Sequence, residues 1–444
     1  MTDATDATIA TVRGRRVWDS RGRPTVEVEV ALANGASGRA IAPAGASMGS
    51  GEAVDLRDGG DAFGGQDVTN ALAGVNGPIA SALRSLDAYD QSGIDRLLVQ
   101  LDGTPNLSRL GGNALVATSM AVLHAAAASS RQPLWHYLAG DDTVRMPLPE
   151  IQIFGGGAHA ARRVDVQDFM IMCPSAGSFS EALEWTAEVY RAAGAIMKRA
   201  GKLQGVADEG GYWPAFDSNE EALEALTQAI MDSGLRPGED VGISLDIAAS
   251  EFGRDGRYTL ALDGRTLDTA QLSDMLGRWL DAYPIISIED PLAEDDEAGF
   301  RQFTQAYGSR CQIIGDDFLV TNAARVEAAA SSHAVNAVLI KPNQAGTVSE
   351  ARAALLAGKE AGFGTIVSAR SGETEDVTIA HLAVGWNAGQ LKVGSFSRSE
   401  RMAKWNEVLR IEEALGAQAR FSGWAALPFD HSAASASSRT NSPC

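Results

Sequence analysis

Charged side chains suited to catalysis follow the apolar segments in the second half of the chain. In chain order these positions are Asp246, Glu289 with Asp290, Asp316 with Asp317, Lys341, Arg370 with Ser371, and Lys392. The series begins with acids, and hard oxygen ligands suit Mg²⁺, which takes few carboxylates and leaves room for substrate oxygens. We therefore predict a magnesium site among the acids at these three strand ends.

The cationic positions that follow predict a base and an anion site. Beside a divalent cation in a dry pocket, Lys341 would lose proton affinity, as a base that removes a proton from carbon requires. A single lysine at a strand end is more often an ion-pair partner, so this interpretation depends on the whole series. Arg370 and Ser371, followed by glycine, offer a phosphate grip. The acids from Glu373 to Asp376 are expected to begin the next helix.

Two further segments carry polar residues next to glycines. The segment "GVADEGGYWP" places Glu209 before two glycines, a backbone that can carry a carboxylate into a pocket; the alternative is a polar surface turn. The segment "IFGGGAHAARRVDVQDFMI" puts His159 on a glycine-rich loop and Gln167 with Asp168 at the start of an apolar strand. A histidine of this kind is more often structural when it stands alone.

Strand and helix patterns indicate the fold that positions these residues. Residues 9–42 read as an antiparallel meander, followed by helices at about 70–100 and 112–138. From residue 143 apolar strands alternate with helices, which predicts a parallel eight-stranded α/β barrel. An open doubly wound sheet is the second choice, and it lacks a GxGxxG turn. We predict an α+β domain at 1–142, a barrel at 143–430 and a disordered tail at 431–444.

Local signals define several helix ends in the barrel. Ser218 with Glu221, and Thr347 with Glu350, have the spacing of capping boxes. Gly234 and Gly362 are expected to end the helices that precede them.

Composition limits the partners and the compartment. The chain has 444 residues with 37 Lys and Arg against 57 Asp and Glu, a net charge of -20, which argues against nucleic acid or an anionic membrane as partner. No secretory signal or membrane-spanning run is evident, so we expect a cytoplasmic protein. Cys173, Cys311 and Cys444 form no pair, and the first two are expected to be buried apolar residues.

Taken together, these segments resemble enolase, the 2-phosphoglycerate dehydratase. The resemblance runs over about residues 10–415 through "VWDSRGRPTVEVEV", "APAGASMGSGEA", "ADEGGYWP", "SIEDPLAEDD", "IIGDDFLVTN", "LIKPNQAGTVSEA" and "SARSGETEDV". It implies an enolase-type (β/α)8 barrel whose first units depart from regular alternation, an N-terminal α+β domain, and a homodimer or an assembly of dimers. It also implies a small phosphorylated or phosphonylated carboxylic acid as substrate.

The resemblance also implies a role for each candidate residue. Asp246, Glu289 and Asp316 resemble the ligands of a first Mg²⁺ that holds the substrate carboxylate. Ala46 and Ser47 match substrate-binding positions of the lid, and Ser47 would also help bind a second Mg²⁺ that arrives with the substrate. Lys341 resembles the base at carbon-2 and Glu209 the acid that helps the carbon-3 hydroxyl leave as water. Arg370 and Ser371 match the phosphate-binding pair and Lys392 the carboxylate-side lysine, while His159, Gln167 and Asp168 match active-site positions near the substrate.

The sequence departs from the family pattern around the lid and the leaving-group end. Ala369 stands where the family has histidine, Asp168 where it has glutamate, and Ala44 and Met48 where it has serine and threonine, while Pro342 and Ala345 alter the loop after the base. The first hypothesis is magnesium-dependent dehydration of 2-phosphoglycerate to phosphoenolpyruvate. The second is an enolase paralogue acting on a phosphonate or phosphinate, like carboxyphosphonoenolpyruvate synthase, with a bulkier group accommodated by Ala369 and Ala44. The third is a non-catalytic binding role.

Overall fold

The computed structural model describes residues 7–46 and 49–431. The predictions made for Ser47, Met48 and Cys444, and for the tail beyond residue 431, lie outside those residues. Within them, no helix is both long enough and apolar enough to cross a membrane.

The first unit is an antiparallel meander covered by helices, as the sequence pattern predicts. Its strands are β1 (Ile9–Trp18), β2 (Pro24–Leu32) and β3 (Ser37–Ile41), and its helices are α1 (Thr69–Gly74), α2 (Ala80–Leu83), α3 (Gln91–Asp102), α4 (Gly112–Ser129) and α5 (Leu134–Ala139). Helix α4 packs on the sheet so closely that a Cβ at Gly38 would lie 2.2 Å from the backbone nitrogen of Ala125. Each of the two helical segments expected from sequence contains more than one helix. A π-helical turn that contains Pro78 follows α1, and Pro133 precedes α5.

The second unit is a closed eight-stranded barrel. Its strands are β4 (Leu148–Gly155), β5 (Asp168–Met172), β6 (Gly242–Asp246), β10 (Ile285–Glu289), β11 (Gln312–Gly315), β12 (Ala337–Ile340), β13 (Gly364–Ser368) and β14 (Gly389–Ser395). A small antiparallel sheet of β7 (Gly253–Arg254), β8 (Arg257–Leu260) and β9 (Arg265–Asp268) lies between β6 and β10 in sequence. The helices of the unit are α6 (Phe179–Arg199), α7 (Asn219–Asp232), α8 (Thr269–Ala282), α9 (Glu297–Tyr307), α10 (Ala323–Ser332), α11 (Pro342–Ala345), α12 (Val348–Glu360), α13 (Thr378–Gly385) and α14 (Ser399–Leu415).

One barrel strand differs from the parallel arrangement that strand-helix alternation predicts. Strand β5 runs antiparallel to both β4 and β6, whereas the other neighbouring pairs are parallel. Residues 156–167 join β4 to β5 without an α-helix, and both α6 and α7 fall between β5 and β6. An antiparallel pair needs no helical crossover, so a loop without an α-helix is enough to join β4 to β5. This is the irregular start that the family resemblance implies.

The local end signals are largely confirmed. The side chains of Ser218 and Thr347 accept the backbone N–H groups of Glu221 and Glu350. The Glu221 carboxylate does not complete a capping box, because it accepts the backbone N–H of Asp217 at 2.7 Å. Glycines follow the last turns of α7 and α12 in the left-handed conformation, with φ of +81° and +74° at positions 234 and 362.

The expectation that the acids after residue 372 begin a helix is wrong. Helix α13 begins at Thr378 and has no acidic residue in its first turn. Glu373 is instead buried, with its carboxylate 2.9 Å from the ammonium of Lys404, and it also accepts the backbone N–H of Arg370 at 3.0 Å. A buried cation elsewhere in the fold determines the place of this acid more strongly than the helix dipole does.

Candidate active site

The antiparallel direction of β5 brings a group of carboxylates together at one end of the barrel. Asp246 and Glu289 end their strands and are paired in register, while Asp168 begins β5 and pairs with Asp246. Because β5 runs in the opposite direction, its first residue lies at the same end of the barrel as the last residues of the parallel strands. All three carboxylates are buried.

Lys392 on β14 is the cation shared by these acids. Its ammonium lies 2.7 Å from Glu289, 3.2 Å from Asp246 and 3.6 Å from Asp168. Burial opposes the charge on this lysine, but the surrounding carboxylates outweigh burial and hold the pKa of Lys392 well above its usual value. For Glu289, burial and the neighbouring Asp246 carboxylate both disfavour the charged form and raise the pKa well above the usual range.

Lys341 lies just beyond β12 and is held by the neighbouring strand end. Its ammonium pairs with the Asp316 carboxylate, and Asp316 also accepts the side-chain amide of Gln344 at 2.9 Å. The sequence prediction of lowered proton affinity does not describe this arrangement. Burial acts to lower the pKa of Lys341, but the adjacent Asp316 carboxylate raises it above its usual value.

A second polar group surrounds His159, which lies on a short 3-10 turn after β4. Its Nε2 is 3.8 Å from a carboxylate oxygen of Asp168 and 3.8 Å from one of Glu209. Burial raises the pKa of Asp168 to about 6, although His159 and Lys392 oppose the rise. For Glu209, burial also acts upward, but His159 and nearby cations hold its pKa below the usual value. The pKa values of these two carboxyls are therefore shifted in opposite directions although both lie 3.8 Å from the same imidazole nitrogen.

The predicted phosphate grip is occupied by a carboxylate. The guanidinium of Arg370 contacts Glu52 through two nitrogens, at 3.0 and 3.3 Å, and both residues are buried. The hydroxyl of Ser371 accepts a hydrogen bond from Arg21 at 3.2 Å. Gln167 donates its side-chain amide to Asp246 at 3.0 Å, which places this predicted substrate residue beside the acids.

One cavity joins the predicted catalytic and substrate residues. Its lining contains Ala46, His159, Gln167, Asp168, Glu209, Asp246, Lys341, Ala369, Arg370, Ser371 and Lys392. The free volume is about 20 Å³, enough for about one water molecule. The room expected beside Ala369 is therefore absent from this arrangement, and Ala44 is buried in a backbone pair with Gly372 instead of lining the cavity. The free space in this arrangement is smaller than a phosphorylated carboxylic acid.

The donor set fits a hard divalent cation. Asp246, Glu289 and Asp316 supply carboxylate oxygens, and Oε1 of Glu289 is buried without a hydrogen-bond partner among the described residues. Lys392 pairs with Asp246 and Glu289 and Lys341 pairs with Asp316, and within the described part of the chain these three acids are not among the groups whose ligand atoms all lie within 4.8 Å of one another. Two other groups have ligand atoms within 4.8 Å of one another: His159 with Asp168 and Glu209, and Asp290 with Asp316 and Asp317. Both groups flank the predicted set, and the second includes Asp316 itself.

Three buried residues of the site were missed by sequence reasoning. Glu52 pairs with Arg370, Gln344 links Glu52 to Asp316, and Gln152 contacts Asp168. Glu52 and Gln344 lie within segments that carry the enolase resemblance, and Gln152 lies within the apolar strand that precedes His159. A polar residue inside an apolar strand is the only local signal for Gln152, because its partners are distant in sequence.

The structure is that of an α/β-barrel protein with an N-terminal α+β domain, one antiparallel barrel strand, and a cavity lined by acids, lysines and an arginine. Two family descriptions match the chain, "Enolase, N-terminal domain" over residues 9–138 and "Enolase, C-terminal TIM barrel domain" over residues 143–428. The chain is also 50% identical over 416 residues to Enolase 1 of Desulfitobacterium hafniense (strain Y51), which covers 93% of this chain and 95% of that relative. The chain belongs to the enolase family.

Proposed function

We propose that the protein dehydrates 2-phosphoglycerate to phosphoenolpyruvate with the help of Mg²⁺. The observation that carries the proposal is that Lys341 and the group of His159, Asp168 and Glu209 line one buried cavity. Loss of water from a hydroxy acid needs a base at one carbon and a proton donor at the neighbouring hydroxyl. Both kinds of group are present in the same enclosed space, and the 50% identity to Enolase 1 supports the same reaction.

Lys341 acts as the base in this proposal. Its Nζ takes the proton from carbon-2, and the electron pair left on carbon-2 then forms the new double bond as the carbon-3 hydroxyl leaves. Lys341 can accept this proton only as a neutral amine, so its attraction to Asp316 has to be weakened first.

Glu209 assists the hydroxyl, which leaves as water after it receives a proton. In the resting arrangement the pKa of Glu209 is lowered, while that of neighbouring Asp168 is raised to about 6. The proton is therefore stored more readily on Asp168, and His159 lies between the two carboxyls. We propose that these three residues act together as the proton donor.

Asp246, Glu289 and Asp316 would hold the Mg²⁺ ion in this proposal. When bound, the ion supplies positive charge against the substrate carboxylate as negative charge develops there. Arg370 and Ser371 bind the phosphate, and Lys392 faces the carboxylate side. The second Mg²⁺ predicted with Ser47 stays a prediction, because that residue lies outside the described ranges.

The direct test is to supply 2-phosphoglycerate and Mg²⁺ and to measure the phosphoenolpyruvate formed by its ultraviolet absorbance. We expect turnover by the unmodified protein, its loss in Lys341→Ala, and its retention in Lys198→Ala, which removes an exposed lysine from α6. Turnover no faster than that of Lys341→Ala would overturn the proposal. Chelation of Mg²⁺ with EDTA should abolish turnover, and addition of excess Mg²⁺ should restore it.

The phosphonate alternative is not favoured by the comparisons, because the relative that the chain matches over 95% of its length is named an enolase. From family membership we further infer a glycolytic role in the cytoplasm and a homodimer or an assembly of dimers. Light scattering on the purified protein tests the assembly.

A further inference from the structure

Gln152 is a fully buried amide on β4 that contacts both the Asp168 carboxylate and the turn that carries Glu209. Its Oε1 accepts the backbone N–H of Gly211 at 2.8 Å, and its Nε2 donates to Oδ1 of Asp168. Gly211 belongs to the turn that carries Glu209, which is closed by the N–H of Ala207 donating to the Gly211 carbonyl at 2.8 Å. One side chain thus contacts both β5 and the Glu209 turn.

The partners of Gln152 fix the orientation of its amide. A backbone N–H can only donate, so the carbonyl oxygen of Gln152 has to face Gly211. The NH₂ group then faces Asp168, whose Oδ1 is thereby held as an acceptor. A reversed amide would place a donor against a donor at Gly211 and an acceptor against the carboxylate, so both contacts specify the same orientation.

The contact with Asp168 lies next to the proposed proton donor. Oδ1 of Asp168 has Gln152 as a hydrogen-bond donor and His159 Nε2 at 3.8 Å. The same imidazole nitrogen is 3.8 Å from Glu209. The other side of the cavity is held separately, because the backbone N–H of Lys341 donates to Thr321 at 2.9 Å.

We propose that Gln152 is a positioning residue for loss of water, a role that rests on the proposed function. It fixes the spacing of Asp168 and Glu209 on either side of His159. Misplacement of reacting groups by about 1 Å can cost about 100-fold in rate. Proton removal by Lys341 does not depend on this spacing, so the two halves of the reaction should respond differently when Gln152 is changed.

The experiment separates the two halves in D₂O with 2-phosphoglycerate and Mg²⁺. Exchange of the carbon-2 proton for deuterium reports proton removal, and phosphoenolpyruvate formation reports loss of water. Gln152→Met keeps the length of the side chain and removes both hydrogen bonds. We expect formation of phosphoenolpyruvate to fall about 10- to 100-fold, with carbon-2 exchange close to that of the unmodified protein.

Moving one methylene group from Gln152 to Asp168 should restore the hydrogen bond between them and so recover the lost rate. Gln152→Asn shortens one partner and Asp168→Glu lengthens the other, so each single variant should be slow and the double variant should recover most of the lost rate. Gln312→Met is the matched control, since it removes a buried amide that donates to Ser287 and Gln390 at 3.0 Å within the same barrel. Gln312→Met should change neither the rate of carbon-2 exchange nor the rate of phosphoenolpyruvate formation per mole of folded protein. Circular dichroism measures the folded fraction.

The outcomes distinguish the two proposals. The positioning role would be overturned by any of three results. Gln152→Met could slow carbon-2 exchange and water loss equally, it could slow neither, or the double variant could fail to recover the lost rate. If the unmodified protein neither exchanges the carbon-2 proton nor forms phosphoenolpyruvate, the proposed function fails and the role of Gln152 fails with it. If Gln152→Met does not fold, the comparison of Gln152→Asn with the double variant decides the question.

Discussion

Replacement of Lys392 by methionine should convert the acids at the barrel mouth from lysine partners into a stronger metal site. The ammonium of Lys392 is within 3.2 Å of both Glu289 and Asp246 and is buried with them. Removing one partner of a buried ion pair costs about 3–5 kcal/mol, because the remaining charge is left uncompensated. At roughly 2 °C per kcal/mol for a large domain, Lys392→Met should lower Tm by about 6–10 °C in EDTA.

Magnesium should restore much of this loss. In the unmodified protein a cation has to displace the ammonium from Asp246 and Glu289, whereas in Lys392→Met those oxygens have no competing cation. Binding at a concentration 100 times Kd stabilises a folded protein by about 2.7 kcal/mol. The rise in Tm between EDTA and saturating Mg²⁺ should therefore be larger in the variant than in the unmodified protein, measured by differential scanning calorimetry.

The matched control is a second buried lysine away from the proposed metal ligands. Lys404 on α14 pairs with Glu373 at 2.9 Å, and both are buried. Lys404→Met should also lower Tm, but Mg²⁺ should not restore it more than it stabilises the unmodified protein. Equal magnesium shifts in Lys392→Met and the unmodified protein would refute the assignment of these carboxylates as metal ligands.

Three further perturbations test the packing, the titration and the anion site. The pKa of His381 is lowered to about 4 by burial; because the unfolded chain binds this proton from about pH 6.5, stability should fall by up to about 3 kcal/mol as pH falls from 6.5 to 4, and His381→Gln should remove that part of the slope in urea titrations. An unchanged slope would contradict this. Gly38→Ala should cost at least about 1–3 kcal/mol in thermal unfolding, because its Cβ would meet backbone atoms of α4; an unchanged Tm would show that β3 and α4 can separate freely. Arg370→Lys should raise KM by about tenfold with a smaller change in kcat, because the two-nitrogen contact seen with Glu52 is lost; a change confined to kcat would argue against phosphate binding there.

The sequence predicts the barrel site well where a strand ends in a charged residue. Buried strands are continuous apolar runs, so the first polar residue after each run marks the mouth of the barrel. This reasoning located Asp246, Lys341 and Lys392, which line one cavity in the structure. It also located Glu289, whose carboxylate lies 2.7 Å from the ammonium of Lys392. The sequence pattern placed Asp168 at a strand start, and only the family resemblance assigned it to the site.

The remaining features depend on neighbours that the sequence does not reveal. Nothing near Glu52 indicates Arg370, which is 318 positions away, and the acids after Gly372 look like a helix start until Lys404 is seen beside Glu373. The direction of β5 likewise follows from the loop that joins it to β4. In each case a long-range charge or strand pairing determines the structure more strongly than the local pattern does.

The opposite directions predicted and found for the pKa of Lys341 describe two charge states of the same site. From sequence, a neighbouring cation should lower this pKa; in the structure, the Asp316 carboxylate raises it. The same carboxylate cannot give its charge fully to both a metal and an ammonium. Under the proposed function we therefore expect Asp316 to link metal occupancy to the basicity of Lys341: a cation that took up the charge of Asp316 would weaken the attraction that keeps the lysine protonated, so the lysine would be a competent base only in the occupied site.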